Sequence, residues 1–200
     1  MLLENRTDVF IAHLPEREVC GAIYPEEKKN EIMAKGCDTA RKESFFAWRL
    51  LERALKETLG ISLEEAELVK KNGRWCARDF DLSISHSGGA LAVAISRSPV
   101  GVDVEPCIGD DGERIAHRFF NAEELEEYLA SDKEKRRDAF LRIWTAKEAI
   151  FKSRADAAFA PSRVDSHSQS VYTDTIELCD AEYVISVATE QEVKIYRMSL

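Results

Sequence analysis

The stretch LSISHSGGALAVAISRSPVGVDVE, residues 82–105, decides the fold, because it holds three short apolar runs separated by turn signals. A Gly-Gly pair separates the first two runs, and a Ser-Pro pair separates the last two. Strands of this length with such short connections are typical of antiparallel neighbours. The stretch therefore predicts three adjacent antiparallel strands, at 82–86, 90–96 and 100–105.

A long helix is predicted on the N-terminal side of these strands, in DTARKESFFAWRLLERALKETLG (38–60). Asp38 or Thr39 can cap its start, and Gly60 can end it. Between the helix and the strands, Asn72-Gly73 predicts a tight hairpin. Apolar residues at three-to-four spacing predict a buried stripe on the helix, formed by Phe45, Trp48, Leu51, Leu55 and Leu59.

The remaining elements repeat this order of strands and a long helix. The other predicted strands are 9–14, 170–179, 182–189 and 193–198, and the other predicted helices are two acidic ones near 111–120 and 121–130 and a longer one over about 132–152. The repetition predicts an α+β fold with two pseudo-symmetric lobes, residues 1–100 and 101–200, each packing a long helix on a small antiparallel sheet.

Composition excludes several classes of protein. A net charge of −9 argues against general nucleic-acid binding, which needs a basic face. No apolar run approaches the ~20 residues of a membrane span, and the start MLLENRTDVF has no signal-peptide core, so we expect a cytoplasmic protein without a membrane partner. Five scattered cysteines without a CxxC pair indicate reduced thiols rather than a disulfide framework or a zinc site.

Two acids lie on one face of the third predicted strand. Asp103 and Glu105 are two positions apart, so their side chains point the same way, opposite to the valines between them. Neighbouring carboxylates repel unless a cation lies between them, and Mg²⁺ takes one or two carboxylates together with substrate phosphates. The alternative is an exposed sheet face on which both acids are solvated.

Two further segments carry polar side chains suited to phosphate chemistry. In RIWTAKEAIFK (142–152), Glu148 and Lys152 lie one helical turn apart, which predicts a third metal carboxylate beside a cation or, alternatively, a surface ion pair. In SISHSGG (83–89), His86 between two serines precedes two glycines, which predicts a phosphate-binding turn or, alternatively, a structural histidine at a strand end.

Together these segments resemble the 4′-phosphopantetheinyl transferases of the surfactin type. The family's Gly-x-Asp-x-Glu strand, Trp-x-x-Lys-Glu-x-x-x-Lys helix and Ser-His-Ser turn correspond here to GVDVE (101–105), WTAKEAIFK (144–152) and SHS (85–87). The resemblance covers residues 38–165. It implies transfer of the phosphopantetheine arm of coenzyme A to a serine of an apo acyl or peptidyl carrier protein, with release of adenosine 3′,5′-bisphosphate.

The resemblance also implies roles for single residues. Asp103, Glu105 and Glu148 would bind Mg²⁺ or Mn²⁺, His86 with Ser85 would contact the phosphates of coenzyme A, and Lys152 would contact the diphosphate or the leaving group. Glu124, in HRFFNAEELEEY, matches the family's candidate base for the serine hydroxyl. The alternative for Glu124 is a capping box with Asn121 at a helix start. Residues 1–100 would hold the nucleotide contacts and residues 101–200 the metal carboxylates.

Two arginines fall at or near basic positions of the family, whereas one segment departs from the family pattern. Arg41 matches a basic residue that faces the adenosine 3′-phosphate. Arg74 falls near the place where many members have Gly-Lys-Pro, so the resemblance implies that it binds a phosphate of coenzyme A, with arginine in place of the lysine. After Lys152 the family continues with a glycine-containing loop, whereas SRADAAFAPSRVDS (153–166) contains no glycine. This departure concerns the exit for the pantetheine arm and the contact with the carrier.

Other functions and contacts stay open. A metal-dependent phosphohydrolase would share the carboxylates, and an inactive homologue would bind coenzyme A without turnover. The basic cluster in DKEKRRDAFLR (132–142) either faces an acidic carrier or is a solvated helix start. Because the second lobe would supply what a partner subunit supplies in shorter, trimeric members, we expect a monomer.

Overall fold

The computed structural model describes residues 5–19, 21, 25–154 and 160–200. Within them, strands β1 to β9 span Arg6–His13, Val69–Lys71, Arg74–Cys76, Asp81–Ser87, Ala90–Ser96, Gly101–Pro106, Val171–Leu178, Ala181–Ala188 and Glu192–Arg197. Helices α1 to α5 span Glu26–Met33, Asp38–Leu59, Glu113–Phe119, Ala122–Ala130 and Arg136–Arg154. The α+β class is confirmed, and most predicted elements are present with ends shifted by a few residues.

The molecule consists of four layers, in the order α2, first sheet, second sheet, α5. The first sheet has the strand order β4-β5-β1-β9, and β5 is buried along its whole length. Leu91 and Val93 of β5 pack with α2, whereas Ala92 and Ala94 pack with the second sheet. Because successive side chains of a strand point to opposite faces, one strand contributes to both cores.

The first sheet is mixed, which corrects the prediction of an antiparallel sheet. Strand β1 pairs antiparallel with β5 but parallel with β9 on its other edge. Strand β9 belongs to the C-terminal half of the chain, so residues 192–197 do not follow the predicted division at residue 100. A parallel partner requires a long connection, and here the chain from β2 to β8, including the whole second sheet, lies between β1 and β9.

The second sheet contains β6, β8 and β7 in this order, all antiparallel. The prediction that β5 and β6 are antiparallel neighbours is therefore wrong. Both edges of β5 are occupied by β4 and β1, so the chain leaves the first sheet after Pro99 and β6 pairs with β8 instead. On β8, Ile185 faces the first sheet and Val184 packs among the residues of the core beside α5.

Side-chain contacts join the two sheets along a seam between β4 and β6. Asp81 accepts a hydrogen bond from the main-chain N–H of Val100 at 2.8 Å, and the hydroxyl of Ser83 accepts one from the N–H of Val102 at 3.0 Å. Polar residues at every second position of β4 therefore face β6. This polar seam, formed by Asp81, Ser83, Ser85 and Ser87, determines which atoms meet at the edge of the two layers.

Strand β6 also makes an unusually close contact with α5, at Gly101. A Cβ atom at this position would lie 1.8 Å from the carbonyl oxygen of Ala149 and 2.6 Å from the amide nitrogen of Ser153. Only glycine allows two backbones to approach this closely. The contact brings the end of α5, with Glu148 and Lys152, beside the acids of β6.

The end of α2 and the hairpin turn agree with the prediction from the sequence, whereas the cap at the start of α2 does not. Gly60 ends α2 with a φ of 75°, as predicted, but the residue at the start is Cys37, and no side chain there caps the helix. Asn72 and Gly73, with φ of 51° and 81°, form the predicted tight turn between β2 and β3. Positive φ at both central residues is typical of a type I′ hairpin.

Two expectations about composition concern thiols and membrane spans. Cys37, Cys76, Cys107 and Cys179 are free thiols, and Cys20 lies outside the described residues. In the part of the chain that the structure describes, no helix combines the length and the hydrophobicity needed to cross a bilayer.

Candidate active site

The two acids of β6 are held by serines of the polar seam. Ser85 donates its hydroxyl to Asp103 Oδ1 at 2.7 Å, and Ser87 donates to Glu105 Oε2 at 2.7 Å. Asp103 is almost fully buried, with 2% of its side chain exposed. The pairing follows from strand geometry, because two residues two positions apart on β4 face two residues two positions apart on β6.

Lys152 connects these acids to α5. Its ammonium group donates to Asp103 Oδ1 at 2.6 Å and to the hydroxyl of Ser85 at 3.2 Å. Glu148, one turn earlier on the same helix, lies 3.7 Å from the same nitrogen. The structure therefore brings Asp103, Glu148 and Lys152 together, and Glu105 lies beside them on β6.

The electrostatics of this cluster follow from crowding negative charge in a partly buried site. Desolvation, together with the charge of Asp103, raises the pKa of Glu148 to about 7, although Lys152 counteracts part of the shift. Desolvation also raises the pKa of Glu105, against its hydrogen bond from Ser87. Burial alone would lower the pKa of Lys152, but the carboxylates of Asp103 and Glu148 outweigh it and raise that pKa. The cluster therefore favours bound positive charge.

The carboxylate oxygens of these acids are suitable ligands for a divalent metal ion, although the acids alone do not form a complete metal centre. Among the described residues, no group of three or more His, Cys, Asp or Glu side chains is close enough to hold an ion. However, Asp103 Oδ2 is buried without a hydrogen-bond partner, so one carboxylate oxygen is available to a ligand. Since Mg²⁺ needs only one or two protein carboxylates when phosphates and water complete its shell, two carboxylates such as Asp103 and Glu148 would be enough to hold it.

A cavity of about 330 Å³ opens beside Lys152, between α1, α2, the β2–β3 hairpin and β4. Lys28, on α1, lies in its wall 5.1 Å from the centre of the Trp48 ring, and burial lowers the pKa of Lys28. Neither the pattern of α1 nor any motif signals this lysine. The wall also contains Glu31, whose carboxylate lies 3.6 Å from the ammonium of Lys28. It thus combines charged, aromatic and small polar side chains, among them Lys28, Glu31, Ser44, Trp48, Arg74, Trp75, Ser83, His86 and Lys152.

His86 faces this cavity and is supported from behind by Glu43 of α2. Glu43 Oε2 lies 3.4 Å from His86 Nδ1, and Glu43 Oε1 accepts the main-chain N–H of Gly89 at 3.0 Å. Desolvation lowers the pKa of His86, and the charge of Glu43 offsets only part of this effect. The sequence gives no signal for Glu43, because its partners lie more than forty positions away in the chain.

Arg41 and Arg74 are engaged with protein atoms. Arg41 forms an ion pair with Asp38, three residues earlier, and donates to the carbonyl of Lys35 at 2.9 Å. It is not among the residues that line the cavity. Arg74 lies in the cavity wall, but its guanidinium donates to Asp81 and to three main-chain carbonyls.

Glu124 lies in a buried ion pair. It forms the capping box with Asn121 at the start of α4, so the structural alternative for this residue is observed. Glu124 also accepts the N–H of Ser166 at 2.7 Å and pairs with Lys147 of α5, whose ammonium donates to the carbonyl of Val164 as well. The side chains of Glu124 and Lys147 are both 0% exposed. Residues 155–159 of the glycine-free segment lie outside the described residues.

The basic cluster at the start of α5 makes mainly intramolecular contacts. Arg137 donates to the carbonyl of Ile108 at 2.6 Å and to that of Pro106 at 3.2 Å. Arg142 pairs with Asp138. Arg137 therefore supports the segment after β6, whereas Arg142 joins α5 to β7 by donating to the hydroxyl of Thr175 at 3.0 Å.

Lys152 and His86 lie in the wall of one cavity, and the ammonium group of Lys152 joins this cavity to the acidic cluster of Asp103 and Glu148. The model of the 4′-phosphopantetheinyl transferase superfamily matches residues 99–197. The chain is 40% identical over 138 residues to the 4′-phosphopantetheinyl transferase AcpT of Salmonella typhi, which covers 68% of this chain and 70% of AcpT. The chain belongs to the 4′-phosphopantetheinyl transferase superfamily.

Other relatives are matched over a smaller part of their length. The 4′-phosphopantetheinyl transferase Sfp of Bacillus subtilis (strain 168) is 32% identical over 125 residues, which are 61% of this chain and 54% of Sfp. The 4′-phosphopantetheinyl transferase gsp of Aneurinibacillus migulanus is 33% identical over 114 residues, which are 56% of this chain and 48% of gsp. The match thus spans about half the length of these two relatives.

Proposed function

We propose that this protein transfers the 4′-phosphopantetheine group of coenzyme A to a serine of an apo acyl or peptidyl carrier protein. The observation that carries the proposal is the meeting of Asp103 and Glu148 at the ammonium group of Lys152, beside a cavity lined by His86. Family membership supports the same reaction. Coenzyme A is the co-substrate, and adenosine 3′,5′-bisphosphate is the second product.

Each residue of the cluster has a role in this reaction. Asp103 and Glu148, with Glu105 beside them, would hold Mg²⁺ or Mn²⁺, which when bound supplies positive charge to the diphosphate. His86 and the hydroxyl of Ser85 orient the phosphates. Lys152 neutralises the negative charge that moves to the leaving group as the phosphorus–oxygen bond breaks.

The transfer itself exchanges one phosphorus–oxygen bond for another. The hydroxyl oxygen of the carrier serine bonds to the phosphorus that bears pantetheine, and the bond from this phosphorus to the bridging oxygen breaks. Its electron pair leaves with adenosine 3′,5′-bisphosphate. We assign the serine proton to Glu148, because 24% of its side chain is exposed within the cluster, whereas Glu124 is fully buried and occupied by Lys147. Glu124 is accordingly proposed to be a structural residue.

The nucleotide half of coenzyme A belongs in the cavity. Lys28 supplies a cation in its wall, and Trp48 and Trp75 supply apolar surface for the base. A contact between Arg41 and the adenosine 3′-phosphate stays a prediction that requires the arginine to leave Asp38. We further propose that the protein acts as a cytoplasmic monomer whose first 100 residues mainly bind the nucleotide, with no nucleic acid or membrane as partner.

The test is incubation with coenzyme A, Mg²⁺ and a panel of apo carrier proteins, followed by intact-mass measurement of each carrier. We expect one phosphopantetheine to be added to at least one carrier, and chelation of the metal to prevent it. Asp103→Asn and Glu148→Gln should abolish the mass gain, whereas Glu177→Gln, an exposed carboxylate on β7, serves as the matched control. Free phosphopantetheine without carrier modification would indicate a hydrolase, and bound but unreacted coenzyme A an inactive homologue; either result overturns the proposal.

A further inference from the structure

Arg74 connects the hairpin of the first lobe to the elements that carry the active-site acids. From β3, its Nη1 donates to the carbonyl of Lys152 at 2.7 Å. Its Nη2 donates to Asp81 Oδ1 at 2.6 Å, to the carbonyl of Leu82 at 2.7 Å and to that of Val100 at 3.2 Å. One guanidinium therefore contacts the end of α5, the start of β4 and the residue before β6.

The carbonyl of Lys152 accepts its hydrogen bond from a charged donor, the guanidinium of Arg74. Charge-assisted hydrogen bonds of this kind are shorter and stronger than those between neutral groups. Arginine suits the position better than lysine, because its planar group can donate in two directions at once, whereas the lysine ammonium acts as a point charge.

The same contacts fix the crossing of β6 and α5. Asp81 binds the N–H of Val100 with one oxygen and Arg74 with the other, so the pair holds both main-chain polar groups of Val100. The next residue, Gly101, touches the backbone of α5 directly. Small displacements at this crossing would move the backbone of Lys152, whose ammonium lies 2.6 Å from Asp103.

We propose that Arg74 is a positioning residue, which sets the backbone of Lys152 so that its ammonium reaches Asp103 and the reacting diphosphate. Arg74 thus acts on the reaction through Lys152 instead of binding a phosphate of coenzyme A. This inference rests on the proposed transferase function, because Lys152 has its role there. The competing assignment is the phosphate ligand that the family's lysine at this position would supply.

Three variants separate the two roles, namely Arg74→Lys, Arg74→Gln and, as the matched control, Arg78→Gln on the exposed segment that follows β3. A positioning role predicts that both Arg74 variants lower kcat by ~10- to 100-fold, the cost of misplacing a reacting group by about an ångström. The KM for coenzyme A should stay within about twofold, since substrate binding is not what is lost. Lysine should not rescue, and Arg78→Gln should match the wild type.

A second measurement does not depend on turnover. Amine-reactive footprinting of the metal-free protein should modify Lys152 faster in both Arg74 variants than in the wild type, with Lys133, an exposed lysine outside the cavity, as the internal reference. If Arg74→Gln does not fold, Arg74→Lys and Asp81→Asn carry the test, since Asp81 orients the guanidinium. Melting temperatures are recorded for every variant.

The outcomes that overturn the inference are distinct from those that overturn the transferase function. A KM for coenzyme A raised by ~10-fold or more in Arg74→Gln, with kcat retained and lysine rescuing, would identify a phosphate ligand. Lower melting temperatures with kcat and Lys152 footprinting unchanged would reduce Arg74 to a purely structural residue. Absence of transfer by the wild type contradicts the proposed function, whereas the footprint of Lys152 still reports whether Arg74 positions it.

Discussion

The buried pair of Glu124 and Lys147 allows a quantitative test of whether Glu124 supports the structure or acts as a base. Glu124→Gln keeps an acceptor for the capping box but removes the negative charge. It leaves the ammonium of Lys147, which has no exposed surface, without a counter-charge, although the carbonyl of Val164 still accepts its hydrogen bond. An unpaired buried charge of this kind costs about 3–5 kcal/mol.

Companion variants test whether this loss of stability comes from the unpaired charge of Lys147. Lys147→Met should cost less, because the Glu124 carboxylate keeps the N–H groups of Asn121 and Ser166 and can also bind a proton. The double variant removes both charges and should recover to within about 1–2 kcal/mol of the wild type. Glu127→Gln, on the exposed side of the same helix, should change stability by no more than about 0.5 kcal/mol.

Urea unfolding followed by tryptophan fluorescence and circular dichroism measures these differences. For a chain of 200 residues, 1 kcal/mol corresponds to about 2–4 °C in Tm, so Glu124→Gln should lower Tm by roughly 6–20 °C. Transfer is assayed at a temperature at which the variant is folded, and we expect most activity to remain. A Glu124→Gln variant that is as stable as the wild type but inactive would refute the structural role and restore the base.

Three other expectations can be checked with the same protein. Gly101→Ala forces a methyl group against the carbonyl of Ala149 and should destabilise by more than about 3 kcal/mol; a urea midpoint close to that of the wild type would contradict the close approach. Mg²⁺ with coenzyme A should raise the Tm of the wild type but not of Asp103→Asn, and an equal rise in both would remove Asp103 from the metal site. Burial lowers the pKa of His86 below its ordinary 6.5, so the unfolded chain binds the proton first. The stability that neutral His86 contributes above pH 6.5 should therefore be lost as the pH falls below it, whereas the contribution of Glu148, whose pKa is raised to about 7, is lost as the pH rises. In unfolding measured between about pH 5 and 7, His86→Gln should remove only the first of these opposite slopes, and an unchanged pH dependence would contradict the burial of His86.

The sequence predicted the features that depend on neighbouring residues. Gly60, the Asn72-Gly73 turn and the capping box of Asn121 are local signals, and all three are observed. The pairing of β6 was predicted wrongly, because the occupied edges of β5 depend on β1, which lies far away in the chain. The parallel pairing of β1 with β9 could not be predicted for the same reason, since nothing near residues 192–197 indicates which strand they join.

The sequence predicted which residues form the candidate site, but it did not predict which contacts they make. The motifs predicted Asp103, Glu148 and Lys152 as site residues, and the structure places both acids beside the ammonium of Lys152. They could not show that Arg41 folds back on Asp38, because the orientation of a long side chain depends on which partner is nearest. The alternation of polar residues in DLSISHS was a usable signal for the seam, since a strand with one polar face inside a protein needs polar atoms opposite it.

Strand β9 has a consequence for any attempt to divide this protein. The first sheet obtains its outer strand from residues near the C-terminal end, so a fragment cut at residue 100 would expose the free edge of β1 to solvent. Two separately expressed halves would each be incomplete, and function would return only by mutual complementation. A substitution that disturbs β9 would in the same way act on the edge of the first sheet opposite to β4, the strand that carries His86.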